Sequence, residues 1–160
     1  MRARMLPLVL CLGLLCACGQ EGERVVLSLY LLSQEDYGPA LVTERWTGAE
    51  MPEAGELLTA LLEAPSLEGS RSPFPQDLTL RDHHLEDGVL YVDFSEQYGG
   101  LADVSLTLAD YCVTLTLCQL EEVEAVEITV SGRPLPYRSH QRLYEQEALL
   151  WLEQEEAGLP

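Results

Sequence analysis

Apolar and polar positions alternate through Val25-Val26-Leu27-Ser28-Leu29-Tyr30-Leu31-Leu32, most cleanly at Leu27, Leu29 and Leu31, which predicts an opening β-strand. The polar stretch 33–39, with Gly38 and Pro39, reads as a turn, and Ala40 to Trp46 is expected to pair back antiparallel to the first strand. Beyond Pro52, Leu57, Leu58, Leu61 and Leu62 recur at three-to-four spacing, the signature of a helix with one apolar stripe. Pro52 loses nothing by lacking an N–H in a first turn, Glu53 and Glu56 favour the positive end of the helix dipole, and Pro65 stops the run. Residues 65–77 carry three prolines, Gly69 and three serines and read as a loop. Leu78 to Leu85 and Val89 to Phe94 are extended segments flanking Glu86-Asp87-Gly88, and Asp-Gly between alternating segments is a strong hairpin signal. After Gly99-Gly100, the span 101–120 is predicted helical, with Leu108, Tyr111, Cys112, Leu115, Cys118 and Gln119 along one face. Its β-branched Val113, Thr114 and Thr116 lower helix propensity, so burial has to hold it. Val123 to Val130 then alternates acid with aliphatic, a half-buried strand ending at Ser131-Gly132-Arg133-Pro134.

The order strand, strand, helix, hairpin, helix, strand predicts an α+β fold: a two-layer sandwich of one mixed or antiparallel sheet with two helices on one face. The tail, residues 133–160, is acidic. It also holds Leu143, Tyr144, Leu149, Leu150, Trp151 and Leu152, too apolar a set for a free coil, and the favoured reading docks it as a short helix or strand rather than leaving it to await a partner.

Composition narrows the function. With 160 residues and 47% hydrophobic positions the chain has material for one domain and short extras. It carries a formal charge of −18, and every one of its nine basic residues is an arginine. So acidic a body repels phosphate backbones, which argues against nucleic acid and against direct binding to anionic headgroups. At the front, Arg2 and Arg4 precede an apolar run from Met5 to Ala17 that is short for a spanning helix, which needs ~20 residues, so residues 1–17 read as a signal peptide. Leu15-Cys16-Ala17-Cys18 resembles a bacterial lipobox. That resemblance implies cleavage before Cys18, a diacylglycerol thioether on its sulfur, and retention on the extracytoplasmic face of the cell membrane by acyl chains worth ~0.8 kcal/mol per buried CH₂. Residues 18–24 would then be a lipidated tether, and the mature chain, with 7 arginines against 27 acids, would carry −20.

Four stretches resemble the GerMN domain, a module named from a protein of spore germination and sporulation and found in bacterial envelope lipoproteins. They are the opening strand Val26 to Leu31; Leu58 to Pro65 followed by Ser72 to Leu78; Asp87-Gly88-Val89-Leu90-Tyr91-Val92-Asp93-Phe94-Ser95; and Val113 to Leu117 with Val123, Val126, Ile128, Val130 and Gly132. The third is the most specific, through Asp87, Gly88, Val92, Asp93, Phe94 and Ser95. Ala64 and Gln76-Asp77 depart from the family's pattern at turn positions. The resemblance places the domain at residues 25–132. It implies a non-enzymatic interaction module whose fold looks like the ring-building motif of sporulation and secretion complexes, with envelope or sporulation proteins as partners and no cofactor.

The candidate chemistry is thin. Cys112 and Cys118 lie six apart in the predicted helix, where rise alone separates them by ~9 Å. A disulfide needs Cα atoms ~4.4–6.8 Å apart, so reduced core thiols are expected. Asp93 beside Ser95 invites a catalytic reading, but catalysis needs a base within reach of the nucleophile, and the expectation is that both side chains finish the strand and cap the next turn or helix. His83-His84, with Asp82, Glu86 and Asp87, would point apart and make at best a weak, wet metal site at a hairpin tip, so no metal is expected. Gly99-Gly100 has no lysine anywhere in the chain to complete a phosphate loop. The aromatics Tyr37, Trp46, Tyr137 and Trp151 are the better binding candidates. A lipid-anchored interaction domain therefore leads, a peptidoglycan- or polysaccharide-binding module is the alternative, and a hydrolase is disfavoured for want of a complete constellation.

Overall fold

The computed structural model describes residues 24–35, 40–64, 67–138 and 140–157. The lipobox Leu15, Cys16, Ala17 and Cys18, the tether up to residue 23, and Tyr37 lie outside them. Among the described residues the fold is α+β, with strands in two sheets and three α-helices.

Strand β1 (Val25–Ser33) pairs antiparallel with β2 (Leu41–Gly48), placing Leu27 opposite Trp46, Leu29 opposite Glu44 and Leu31 opposite Val42. The alternation seen in sequence is real: Leu27, Leu29 and Leu31 are buried while Val26 is exposed. A two-residue strand β3 (Ser70–Arg71) adds to the end of β1, giving the order β2-β1-β3. Helix α1 (Ala54–Leu62) starts where Glu53 N–H donates to the Glu56 carboxylate at 3.3 Å and buries Leu57, Leu58 and Leu61 completely. Each such leucine contributes roughly 2 kcal/mol relative to exposure.

The second sheet is built on the hairpin of β4 (Leu80–Glu86) and β5 (Val89–Phe94). Asp87 and Gly88 form its two-residue loop with φ of 49° and 78°, the positive pair that a type I′ turn requires and that Asp-Gly supplies at little strain. A β-carbon on Gly88 would also meet the Glu124 side chain at 3.0 Å. β5 runs parallel to β6 (Ala125–Val130), whose other edge takes β7 (Arg133–Pro134) and β8 (Arg142–Tyr144). A single mixed sheet was expected, and two form. The reason lies in helix α2 (Asp103–Leu117), which follows a short 3-10 helix (Glu96–Gly100). Gln119 accepts from Ser28 N–H at 2.9 Å and donates to Ser28 C=O at 2.7 Å, and the Thr116 hydroxyl accepts from Tyr30 N–H at 3.0 Å. These side chains fill the free edge of β1, so no further strand can continue the sheet there.

Helix α2 packs on β1, β6, α1, α3 and β8 together. The face predicted from Leu108, Tyr111, Cys112 and Leu115 turns out to serve the smaller of two apolar clusters, with Leu32, Leu41 and Ala148. The principal core is reached by Leu106, Ala109, Val113 and Leu117 instead. With both faces covered the helix has no single stripe, as a fully enclosed helix should not. Its β-branched residues fit this: Val113, Thr114 and Thr116 are all fully buried. The tail contributes β8 and helix α3 (Glu145–Ala157), with Leu143 in the principal core and Ala148 in the smaller cluster. Among the described residues no helix is long and apolar enough to cross a membrane.

Candidate functional site

A cleft of about 510 Å³ lies between the start of α2 and the tail. Gly99 to Asp103 form one lip, Leu106, Thr107, Asp110 and Tyr111 on α2 form the floor, and Tyr137, Arg138, His140, Leu143 and Glu147 form the opposite wall. Leu101 N–H closes the 3-10 helix onto Tyr98 C=O, and Ala102 then adopts an extended backbone before α2 begins. Asp103, the first residue of α2, holds φ at 48°, an uncommon angle for a residue with a side chain. The Ser105 hydroxyl accepts from Ala102 N–H at 3.2 Å and fixes this entry.

The wall opposite is held from behind by a buried polar network. Arg138 donates to both carboxylate oxygens of Asp110, Nη2 to Oδ1 at 2.8 Å and Nε to Oδ2 at 3.0 Å, and its Nη1 donates to Ile128 C=O at 2.7 Å. The Tyr98 hydroxyl donates to Asp110 Oδ1 at 2.7 Å. Asp110 is only 4% exposed and Arg138 9%. A two-pronged arginine–carboxylate pair of this kind is the arrangement that tolerates burial. Burial raises the Asp110 carboxyl above its ordinary range against the opposing pull of Arg138's charge and the hydrogen bonds from Tyr98 and Arg138. Burial also lifts the Tyr98 phenol well above its usual value, with the Asp110 charge adding to it. The sequence carried one signal of this network, a lone aspartate between Ala109 and Tyr111 in an apolar helix.

On the second sheet, Asp93 is a tying point rather than an acid aimed at substrate. Its Oδ1 accepts from Thr129 Oγ1 at 2.8 Å and from Gly132 N–H at 2.7 Å, and its Oδ2 accepts from Arg81 Nε at 3.0 Å. Burial would raise its carboxyl; the three donors and the Arg81 charge outweigh that and hold it below the ordinary carboxylate value. It thereby fixes the turn at Ser131 and Gly132, whose φ values are 50° and 75°.

The family model for Germane, described as sporulation and spore germination, matches residues 28–136. The chain belongs to the Germane family. Among solved structures, the tandem GerMN domains of the sporulation protein GerM from Bacillus subtilis share 20% identity at a TM-score of 0.58, over 77% of this chain and 47% of that one. The first GerMN domain of the same protein shares 19% identity at a TM-score of 0.58, over 76% of this chain and 98% of that one. This chain thus spans about half the length of the tandem-domain structure and matches one GerMN unit in fold. No curated protein matches it in sequence. The Germane match ends at residue 136, so the wall of the cleft from Tyr137 onward is built by sequence outside it.

Within this Germane domain the motif residues take distinct places. Asp87 and Gly88 turn the β4–β5 hairpin, Val92 and Phe94 point into the principal core, and Asp93 faces the opposite side. Ser95 departs from expectation: its hydroxyl makes no bond to the following 3-10 helix and instead accepts from Thr79 N–H at 3.0 Å, closing the open end of the hairpin. His83 and His84 do point apart, but from the middle of β4 rather than from a hairpin tip. His83 sits against Gly55 of α1, while His84 stacks on Tyr91 with ring centroids 4.8 Å apart. Cys112 and Cys118 are free thiols. Trp46 is half-buried against the principal core, and Tyr137 is 55% exposed at the cleft. The side chain of Trp151 lies outside the described residues.

Proposed function

We propose that this Germane-family protein is an extracytoplasmic lipoprotein, anchored through diacylglycerol on Cys18, whose GerMN module works without catalysis by surface complementarity with envelope proteins of sporulation or germination. The observation that carries the reading is the Germane match over residues 28–136, a family described by sporulation and spore germination. The anchor rests on Leu15-Cys16-Ala17-Cys18 directly after an apolar run that begins behind two arginines. The non-catalytic half is supported by the state of the best catalytic candidate: the Asp93 oxygens are taken up by Thr129, Gly132 and Arg81, and the Ser95 hydroxyl closes the hairpin.

The experiment is phase partitioning of the full-length protein expressed in a Gram-positive host, wild type against Cys18→Ser. The wild type is expected in the detergent phase and membrane fraction, and the variant in the aqueous phase or as uncleaved precursor. A Cys18→Ser protein that is processed and membrane-retained like the wild type contradicts the anchor.

A further inference from the structure

Where β2 gives way to α1, a pocket of about 580 Å³ opens, lined by Trp46, Gly48, Glu50, Met51, Glu53 and Glu56. Trp46 is half-buried against the principal core, and its indole lies over Gly48, where a β-carbon would collide with the ring. The ring is therefore in place before anything binds, which lowers the ordering cost of a contact. Its N–H is not buried and has no acceptor among the described residues, so one donor is left for a ligand. Met51, 51% exposed, adds a polarizable apolar side chain to the same pocket. The rim is acidic: Glu50, Glu53 and Glu56 are exposed, and among the described residues no basic side chain lines the pocket. The start of α1 explains part of this, since Glu56 accepts from Glu53 N–H at 3.3 Å. It does not explain Glu50, which precedes the helix and has no hydrogen-bond or ion-pair partner among the described residues, nor the exposed methionine that follows it.

Three carboxylates oppose phosphates and other anions. Among the described residues no group of three or more acids, histidines or cysteines is placed to hold a metal ion, so a bare divalent cation has no cage here. A free polyamine would satisfy the acids and leave Met51 and the indole N–H unused. A basic peptide uses all of them: its cationic side chains meet the carboxylates and the indole face, an apolar neighbour meets Met51, and a backbone carbonyl accepts from the indole N–H. The pocket also adjoins the end of β2, whose outer edge pairs with no strand among the described residues, so an extended peptide finds main-chain partners beside it. The formal charge of −18 on the whole chain draws such a segment in. We infer that this pocket docks a short segment of a partner protein that carries lysine or arginine next to apolar residues. The inference deepens the proposed interaction function and rests on it, by giving the chemistry of the partner and the face that receives it.

The test is isothermal titration of full-length protein in mild detergent with a blocked peptide of alternating lysine and leucine, its glutamate-for-lysine counterpart, and spermidine. Saturable binding of the lysine peptide is expected, with none of the glutamate peptide and weaker binding of spermidine. Trp46→Ala should weaken the lysine peptide roughly tenfold, and Glu50→Gln and Met51→Ser severalfold each. Glu35→Gln, the same loss of charge beyond the opposite end of the β1–β2 pair, should leave it unchanged. Glu50 and Met51 are exposed, so their variants fold whatever Trp46→Ala does. Absence of saturable peptide binding, wild-type binding by Glu50→Gln and Met51→Ser, an equal loss in Glu35→Gln, or spermidine binding as tight as the peptide would each overturn the inference, the last by assigning the pocket to free cations. None of these outcomes bears on the anchor, which the partitioning of Cys18→Ser reads separately.

Discussion

Replacing Arg138 with Met should test whether the tail is a structural part of the domain. The change removes both donors to Asp110 and the donor to Ile128 C=O, leaving a carboxylate 4% exposed with Tyr98 as its remaining partner. Breaking one side of a buried pair costs about 3–5 kcal/mol. For a domain of this size each kcal/mol moves the melting temperature by ~2–4 °C, so the fall is on the order of 10 °C. The variant has one escape, protonation of Asp110. Its folded carboxyl is already raised by burial, and losing the Arg138 charge raises it further. A folded pKa above the unfolded one means that the native state binds the extra proton, so stability falls as pH rises through that window. The deficit of Arg138→Met should therefore be smaller near pH 5 than at pH 8. Asp110→Leu combined with Arg138→Met removes charge on both sides and should recover to within about 2 kcal/mol of the wild type. Urea unfolding at the two pH values gives all three numbers. A single variant within 1 kcal/mol of wild type, or a double variant no better than the single, would refute the account of the lock.

Gln119→Leu should cost about 2 kcal/mol in the same assay, because it strands Ser28 N–H and C=O at the filled edge of β1; an unchanged urea midpoint would show that water replaces the side chain. Asp93→Asn should lower stability by about 1 kcal/mol at neutral pH. Since the Asp93 carboxyl is held below its ordinary value, its contribution is present above the unfolded pKa and fades on acidification, so wild type and variant should converge at low pH. Divergence on acidification would contradict the assigned sign. Burial pushes the Cys118 thiol up to about 11, with the Glu145 charge adding to it, and pushes the Cys112 thiol higher still. Both should resist a thiol reagent at pH 8 until the protein unfolds, Cys112 more completely; rapid labelling of Cys112 in the folded state would contradict its burial.

Local chemistry made much of this fold legible. Leu27, Leu29 and Leu31 declared β1 by alternation, Leu57, Leu58 and Leu61 declared α1 by spacing, and Asp87-Gly88 declared a hairpin because few other dipeptides take two positive φ angles. Sheet membership was not legible, since the break between sheets is made by Thr116 and Gln119 reaching back some ninety residues to β1. The predicted face of α2 through Leu108, Tyr111, Cys112 and Leu115 does form, but it is the lesser of two: a helix covered on both sides carries apolar residues all round, and one stripe shows half of its packing. The cleft was hidden because its walls come from segments some thirty residues apart in the chain, joined at the Asp110–Arg138 pair, and a charge-paired aspartate looks in sequence like any other acid in a chain with 27 of them.

The central claim, a GerMN module held to the membrane by its own front cysteine, is tested most directly by intact mass spectrometry of the protein extracted from native membranes. The account predicts a chain beginning at Cys18, lacking residues 1–17 and heavier by a diacylglyceryl group with or without a further acyl chain. A chain that retains residues 1–17, or one that starts at or beyond Gly19 with no lipid, would contradict it.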